Sequence, residues 1–374
     1  MPMLVVSPLA GALIDRWDRR HAMIIADSGA AAGTLITMLL LITGNLETWH
    51  LYLSLSFSGV FQAFQFPAYG AATTLLVPQS QYARASGLVQ LAGSIGRVAA
   101  PTVAAAVVVW SGLTVLFVVD FATFLFAVGT LFVVRFPSAE RSPATGRGPM
   151  ALLREAKEGL DFILERRALL VLMLSFVMVN FAFAFQGVLL IPLLLTISSE
   201  QTAGLVVSVG AGGIVAGSLL LTIWGGPRDR IRGVFAPILA MGFGLLLIGL
   251  RPSLVTIVAG ILLMNATHPI AGGSSQSIWQ AKVPPELQGR VFSIRQLSAT
   301  AAAPIAFLSA GALADRVFEP MMESASGTAA DILGSGPGRG IGLMFVLAGL
   351  VVIGIVAVAW NLPRIRRLEV EVPD

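Results

Sequence analysis

The sequence contains no cysteine among its 374 residues, which excludes a disulfide framework, a thiol nucleophile and a cysteine-ligated metal. Charged residues make up only 12% of the chain, about half the share found in a typical soluble domain. Hydrophobic residues make up 56%, and the mean hydropathy is +0.85. So little charge cannot solvate a compact soluble fold, which argues against a soluble enzyme, a nucleic-acid-binding module and a disordered chain.

The motifs of ATP-driven and metal-dependent proteins are also missing. The sequence has no Walker motif. Its three histidines, His21, His50 and His268, lie in separate regions without metal-ligand spacing. A membrane-embedded hydrolase would need a cluster of catalytic residues, and no such set is visible. We therefore expect a protein that is not an enzyme, with no catalytic residues, no cofactor, no metal site and no nucleic-acid partner.

Long apolar runs dominate the sequence instead. A bilayer is crossed by a helix of about 20 apolar residues, and ten nearly uncharged stretches have that length. The sequence therefore predicts an all-α, polytopic membrane protein. Residues 1–14 are apolar but too short to cross, and they resemble the second half of a helix whose beginning is missing. The predicted spans are 22–43, 51–77, 86–110, 113–134, 169–196, 203–224, 233–250, 253–281, 291–314 and 341–360.

Arginines are concentrated in alternate loops, above all in a central loop at 135–168 and in a tail at 361–374. Positive residues gather on the cytoplasmic side of membrane proteins, so we expect both segments to be cytoplasmic. The central loop divides the chain into an incomplete N-terminal bundle, 1–134, and a six-helix bundle, 169–360. Within it, residues 150–166 have the pattern of an amphipathic helix, with Leu153, Ala156, Leu160 and Ile163 at helical spacing. This helix either lies on the membrane surface or is solvated as a linker.

The sequence also contains an internal repeat. Three features recur at one offset of 206 residues, and each set lies in a loop that enters a predicted span. Parallel repeats are a transporter architecture. Under this offset Met1 corresponds to Val207, whereas the second half begins near Leu169, so the first half lacks about one helix and a short loop. The matched features are Val77-Pro78 with Val283-Pro284, Arg84 with Arg290, and Gln90 with Gln296.

The segment from Gly11 to Arg20, GALIDRWDRR, places an acid and several arginines in a tight loop. Asp15 is suited to pairing with a cation or to capping the N-terminus of a neighbouring helix. Arg16, Arg19 and Arg20 are suited to bonding carbonyls at helix C-termini. Such a latch can break and re-form as two bundles rock. The alternative interpretation is an ordinary positive loop that only orients the chain.

This segment resembles the hallmark loop between the second and third helices of the major facilitator superfamily, in particular its drug:proton antiporter branch, which includes macrolide-efflux and siderophore-export proteins. The resemblance covers essentially the whole chain. It implies a 6+6 helix fold that here lacks the first helix and part of the second, as in an N-terminally truncated member. Further matches are Pro67-Ala68-Tyr69, Val77-Pro78, Arg84 to Gly87, Gly96-Arg97 with Pro101, and Gly311 to Arg316.

The resemblance implies a secondary active transporter of the cell membrane that exports amphipathic small molecules such as drugs, macrolides or siderophores by alternating access. Proton entry would drive export. The expected partners are the small-molecule substrate, the proton and the lipid bilayer, and we expect a monomer. The alternative is a non-transporting fragment of such a transporter, from a truncated or misassigned gene.

Charges within membrane spans are costly and mark function by default, and Asp27, Arg97 and Asp120 are of this kind. A carboxylate that alternates between an apolar site and an arginine can load and release a proton. We hypothesise that Asp120 or Asp27 carries the proton and that Arg97 tunes it. The alternative is a static ion pair or a helix cap.

Polar side chains within the apolar spans are candidates for a substrate cavity. For each of them, an interhelical hydrogen bond is an equal alternative to substrate contact. Since His268 precedes Pro269, it is also a candidate for bonding carbonyls freed at a kink. The candidates are Gln62, Gln65, Asn180, Gln186, Asn265 and His268.

Overall fold

A computed structural model describes residues 2–134, 149–323, 333–334 and 336–363. Within these ranges the chain forms helices and no strand, as the apolar runs predict. The helices are α1 Pro2–Arg16, α2 Arg19–Ile42, α3 Thr48–Leu76, α4 Tyr82–Val133, α5 Pro149–Glu165, α6 Arg167–Leu195, α7 Glu200–Trp224, α8 Arg230–Leu250, α9 Leu254–Lys282, α10 Gln288–Leu313, α11 Glu319–Glu323 and α12 Arg339–Asn361.

Eight stretches of the described chain are long and apolar enough to cross a membrane. One of them, Gln79–Val133, contains two predicted spans, because Gly112 interrupts α4 with φ 81°, a left-handed value that glycine adopts without Cβ strain. The predicted span 51–77 corresponds to α3, which is helical over 29 residues. Polar residues such as Gln62 keep α3 outside the eight apolar stretches, so its crossing stays a prediction.

The internal repeat is confirmed by the helix bounds. Helices α3 and α9 are both 29 residues long, and their first residues, Thr48 and Leu254, are 206 positions apart. The 3-10 turns that follow, Gln79–Gln81 and Pro285–Leu287, and the starts of α4 and α10 keep this offset. Even a side-chain contact recurs: Tyr82 donates to the carbonyl of Thr74 at 3.4 Å, and Gln288 donates to the carbonyl of Gln280 at 3.5 Å.

The chain forms two compact units, and each takes one segment from the opposite half of the sequence. Unit 1 comprises Met1–Tyr82, Ala99–Arg166 and Gln280–Ser298. Unit 2 comprises Ala83–Val98, Arg167–Trp279 and Ala299–Asp374. The division of the chain at the central loop 135–168 stays a prediction, and residues 135–148 of that loop and 364–374 of the tail lie outside the described residues.

The core of unit 1 is built from small side chains. Helix α3 packs against α1 and α2, and the core includes Ala10 of α1, Ala26 of α2 and Ala63 of α3. Small residues let helix backbones approach closely, which is a common way of packing membrane helices. Trp17 stacks on the core residue Phe64, with ring centroids 6.2 Å apart.

Helix α5 packs against α1 in unit 1. It is amphipathic, as predicted, but it is not a solvated linker, and only part of the predicted apolar face is buried. Leu153 and Leu160 are exposed although their spacing placed them on the apolar side, whereas Ala156 and Ile163 are buried. The buried stripe consists of Glu155, Ala156, Gly159, Phe162 and Ile163.

Unit 2 is organised around close glycine contacts between α8 and α12. The carbonyl of Gly242 lies 2.8 Å from the position that a Cβ on Gly349 would take. Arg339 is buried at the start of α12 and donates to the carbonyl of Gly249 at 2.6 Å. Glu319 accepts hydrogen bonds from the backbone N–H of Gly338, just before α12, and from that of Ile341 in its first turn. These contacts satisfy polar groups at the ends of two packed helices.

Candidate functional site

Asp15, at the end of α1, caps the start of α10. Its Oδ1 accepts a hydrogen bond from the backbone N–H of Gly289 at 2.7 Å, and its Oδ2 accepts one from the N–H of Arg290 at 3.0 Å. These N–H groups belong to the first turn of a helix, where they have no partner within the helix and where the helix dipole favours a negative charge. The structure therefore shows the helix cap predicted for Asp15, and it also shows the predicted pairing with a cation, because the Nε of Arg290 lies 3.4 Å from Oδ2 of Asp15.

Close backbone contact brings Asp15 to this position. Gly11 lies one turn before Asp15 in α1, and a Cβ at Gly11 would collide with the carbonyl of Gly289 and the side chain of Ser293. The lack of a side chain at Gly11 thus lets α1 approach α10 closely. This gives Gly11 a packing role in the segment from Gly11 to Arg20, which we call the latch segment.

The arginines of the latch segment have different partners. Arg16 binds the carboxylate of Glu155 with two hydrogen bonds of 2.9 and 2.7 Å, and these bonds raise the pKa of Arg16 above its ordinary value. Arg20 donates to the carbonyl of Phe132 at 3.1 Å, near the C-terminus of α4, and lies over the Phe132 ring. The side chain of Arg19 lies outside the described part of the structure.

Arg290 links the cap to α5, and sequence reasoning did not assign it to the site. Its side chain is 3% exposed. Its Nε lies 3.4 Å from Asp15, its Nη2 lies 3.6 Å from Glu155, and its Nη1 donates to Glu158 at 2.5 Å. Three carboxylates and two guanidinium groups thus meet in unit 1. We call this set the charged junction: Asp15, Arg16, Glu155, Glu158 and Arg290.

A neutral polar network also holds the segment before α10 in unit 1. The hydroxyl of Thr74 donates to the Gln288 side chain at 3.0 Å, and Gln288 in turn donates to the carbonyl of Val283 at 3.1 Å. Gln280 donates to the carbonyl of Gly70 at 3.2 Å. Gln280 and Gln288 are 4% and 1% exposed, so α3 and the α9–α10 connection are joined by buried hydrogen bonds.

The acidic residue of α2 meets one of the predicted cavity residues. Asp27 accepts a hydrogen bond from the Gln65 side chain at 3.1 Å, so two residues predicted for separate roles lie together in unit 1. Gln62 is exposed one turn earlier on α3. Asp120 is exposed in the second half of α4, and Arg97 is exposed in the part of α4 that belongs to unit 2. The pairing of Asp120 with Arg97 stays a prediction.

The remaining cavity candidates lie in unit 2. Asn265 is buried and donates to the carbonyl of Gly210 at 2.9 Å, and Asn180 donates to a carbonyl of its own helix. His268 stacks on Phe183 with ring centroids 4.4 Å apart. The carbonyl of Pro269, the residue after His268, accepts a hydrogen bond from the Gln90 side chain at 2.7 Å.

Gln186, the last cavity candidate, is 5% exposed, so its contact with a substrate stays a prediction. In the described part of the chain, no group of three or more histidine and acidic side chains is arranged to hold a metal ion.

A comparison with protein families matches residues 1–307 to the Major Facilitator Superfamily. The chain belongs to this family. Its members are multi-pass membrane transporters of small molecules and not enzymes, which agrees with the apolar helices and the repeat described above.

Curated relatives extend over almost all of the chain. Macrolide efflux protein A of Streptococcus pyogenes is 29% identical over an alignment of 382 positions, which covers 99% of this chain and 87% of that protein. Macrolide efflux protein A of Enterococcus faecalis is 31% identical over 316 residues, covering 82% of this chain and 95% of that protein.

Two solved structures share the fold at low sequence identity. A bacterial homologue of the iron transporter ferroportin, in its outward-facing state, superposes with a TM-score of 0.69 at 16% identity, covering 96% of this chain and 88% of that one. The fucose:proton symporter of E. coli superposes with a TM-score of 0.71 at 12% identity, covering 95% and 87%. These likenesses concern the fold alone.

Proposed function

We propose that the protein is a proton-coupled exporter of amphipathic small molecules, with macrolides as the first substrates to test and other drugs or siderophores next. The observation that supports this most directly is the similarity to Macrolide efflux protein A over 99% of the chain. The arginine-rich loops support an orientation in the cell membrane with the central loop and the C-terminus in the cytoplasm. In this proposal the transporter acts as a monomer.

Alternating access requires contacts that break and re-form. The charged junction has the chemistry for this, because carboxylates and guanidinium groups can exchange their mutual contacts for water when helices separate. Asp15 and Arg290 join the end of α1 to the start of α10. In our proposal this contact is closed in one state of the cycle and open in the other, and the latch segment thereby stabilises the outward-facing state.

Proton coupling is assigned to Asp27 or Asp120, with Arg97 as the tuning charge. The hydrogen bond from Gln65 to Asp27 supports Asp27 as a carrier, since a carboxylate that loses such a donor and enters apolar surroundings takes up a proton. Gln65 would then connect the carrier to the cavity, because it was itself a predicted cavity residue. A rearrangement of α2 against α3 would couple proton uptake by Asp27 to substrate contact at Gln65.

We expect the substrate to contact aromatic and polar side chains of the predicted spans. Phe57 is 44% exposed and packs edge-on against Phe61 with ring centroids 4.9 Å apart, so it offers an apolar surface. Phe64 and Phe185, in contrast, are buried packing residues. The polar residues assigned to the cavity are Gln62, Gln65, Asn180, Gln186, Asn265 and His268.

The proposal is tested by expressing the chain in a strain that lacks its own efflux pumps. We expect lower macrolide accumulation, reversed by a protonophore, and macrolide-stimulated proton flux in everted vesicles. Asp27→Asn or Asp120→Asn should abolish that flux. Full macrolide-stimulated flux in both variants would remove the carrier assignment, and unchanged accumulation of every macrolide, drug and siderophore tested would overturn the export function.

A further inference from the structure

We propose that the amphipathic helix α5 is a third arm of the charged junction, and that Glu155 is the counter-charge which allows α1 and α10 to meet. This inference deepens the proposed alternating-access cycle and rests on it for its role in transport. The structural part, that α5 holds the α1–α10 contact closed, can be tested without any substrate.

Glu155 lies between the arginines of α1 and α10. Its side chain is fully buried, yet it binds arginines from two helices that are far apart in the sequence. Two hydrogen bonds join it to Arg16 at the end of α1, and its Oε2 also lies 3.6 Å from Arg290 at the start of α10. One carboxylate of α5 therefore touches both partners of the α1–α10 contact.

Charge balance shows why α1 and α10 need α5. Without α5, the contact would bring together Arg16, Arg290 and the single carboxylate of Asp15, which already accepts two backbone N–H groups. A buried charge is costly unless it is paired and hydrogen-bonded. Glu155 neutralises the excess positive charge, and Glu158, whose side chain is 40% exposed, gives Arg290 a further partner.

The backbone of α5 is shaped for this position. A Cβ on Gly159 would lie 2.8 Å from the Cβ of Arg290 and 3.1 Å from its backbone carbon, so only glycine lets α5 approach α10 this closely. Ala156 and Ile163 flank Gly159 on the buried stripe. The stripe places Glu155 one turn before Gly159, facing the same contact. A solvated linker helix would need none of these features.

The chain has no cysteine, so a single introduced thiol reports on the contact without background. Ser293 is 1% exposed in α10 and packs against Gly11, which makes Ser293→Cys a near-isosteric reporter. The purified reporter protein is labelled with a maleimide in detergent, so that the result does not depend on membrane orientation. The test variant is Glu155→Gln, which keeps the size of the side chain and removes its charge.

We expect Glu155→Gln to raise the labelling rate of the reporter about tenfold or more. The matched control is Glu165→Gln on the same helix, whose side chain is 73% exposed and which should leave the rate unchanged. Adding Arg16→Gln to Glu155→Gln should raise the rate by less than the product of the two single effects, because the two residues share one interaction.

Equal labelling rates for the reporter with Glu155→Gln, with Glu165→Gln and with neither change would overturn the inference. If Glu155→Gln does not fold, Glu158→Gln decides, with an expected rise of about two- to fivefold and with no rise counting against the inference. Failure of the export proposal would instead appear as a lack of macrolide transport by the unaltered chain, while the labelling results stood.

Discussion

The charged junction in unit 1 has a counterpart in unit 2 that carries almost no charge. The offset of 206 residues relates Asp15 to Leu221, Arg16 to Thr222 and Arg290 to Arg84. Leu221 is fully buried and Arg84 is exposed, whereas Arg290 is 2% exposed. We call this second contact, between the end of α7 and the start of α4, the apolar junction; its residues are Arg84, Gly87, Leu221, Thr222 and Gly225.

Both junctions depend on a glycine, but on opposite helices. In unit 1 Gly11 of α1 faces Ser293 of α10, whereas in unit 2 Gly87 of α4 lies against Thr222 of α7. Close helix contact therefore needs a small residue on one side and needs no charge. The five charges of the charged junction must serve another purpose. We infer that they make this junction responsive to charge, while the apolar junction responds only to shape.

The largest difference is expected between the two equivalent arginines. Arg290→Gln leaves the carboxylates of Asp15 and Glu155 without their shared cation and should lower the free energy of unfolding by about 3–5 kcal/mol. Arg84→Gln removes an exposed charge and should change it by less than about 0.5 kcal/mol. Denaturant unfolding of the two purified variants in detergent measures both values, and equal losses would erase the distinction between the junctions.

A smaller loss is expected at the helix cap. Asp15→Asn weakens charge-assisted hydrogen bonds to α10 and should cost about 1.5–3 kcal/mol, which would speed labelling of Ser293→Cys about tenfold or more.

Asp18→Asn is the matched control for the cap variant, since Asp18 caps α2 at a partly exposed position and asparagine caps as well as aspartate does. A similar increase in labelling for both variants would show that the cap by Asp15 has no special role.

The shared packing of the two junctions predicts equal sensitivity to added volume. Gly11→Ala and Gly87→Ala each place a Cβ against the opposite helix and should each cost about 1–3 kcal/mol, seen as a lower thermal unfolding midpoint. Gly59→Ala is the control, because the space around Gly59 is open and alanine favours a helix there. A loss confined to Gly11→Ala would contradict the shared packing.

The smallest effect is expected at the start of α8 in unit 2, where an aspartate and an arginine also form a pair. Arg232 pairs with Asp229 at 3.0 Å, but their side chains are 70% and 45% exposed. Arg232→Gln should therefore change the free energy of unfolding by only about 0.2–0.5 kcal/mol. A loss as large as that of Arg290→Gln would show that burial does not decide the strength of these pairs.

Much of the fold follows from the sequence, because its signals are local. Apolar runs mark the helices, and the Val-Pro pairs at 77–78 and 283–284 locate the turns before α4 and α10, so the repeat is visible without coordinates. The capping role of Asp15 is among the predicted alternatives, because an acidic residue after an apolar helix is suited mainly to pairing with a cation or to capping a helix.

The charged junction is less visible, because its partners come together only in the folded chain. Arg16 and Glu155 are 139 residues apart, and nothing local to α5 predicts that an acid lies on its buried stripe. Of the residues at apolar spacing in α5, Ala156 and Ile163 lie on this stripe, whereas Leu153 and Leu160 are exposed. Burial of Glu155 becomes favourable only when two distant arginines surround it, which is information that a local pattern does not contain.

We expect the contact of the start of α10 with α1, and with the neighbouring α3, to open and close during export. Thr74 and Gln288 bond across it at 3.0 Å, so Thr74→Cys with Gln288→Cys can be joined by a short, cleavable bifunctional thiol reagent in this cysteine-free chain. Macrolide efflux should stop when the pair is crosslinked and return when the link is cleaved. Undiminished efflux from fully crosslinked protein would contradict the account.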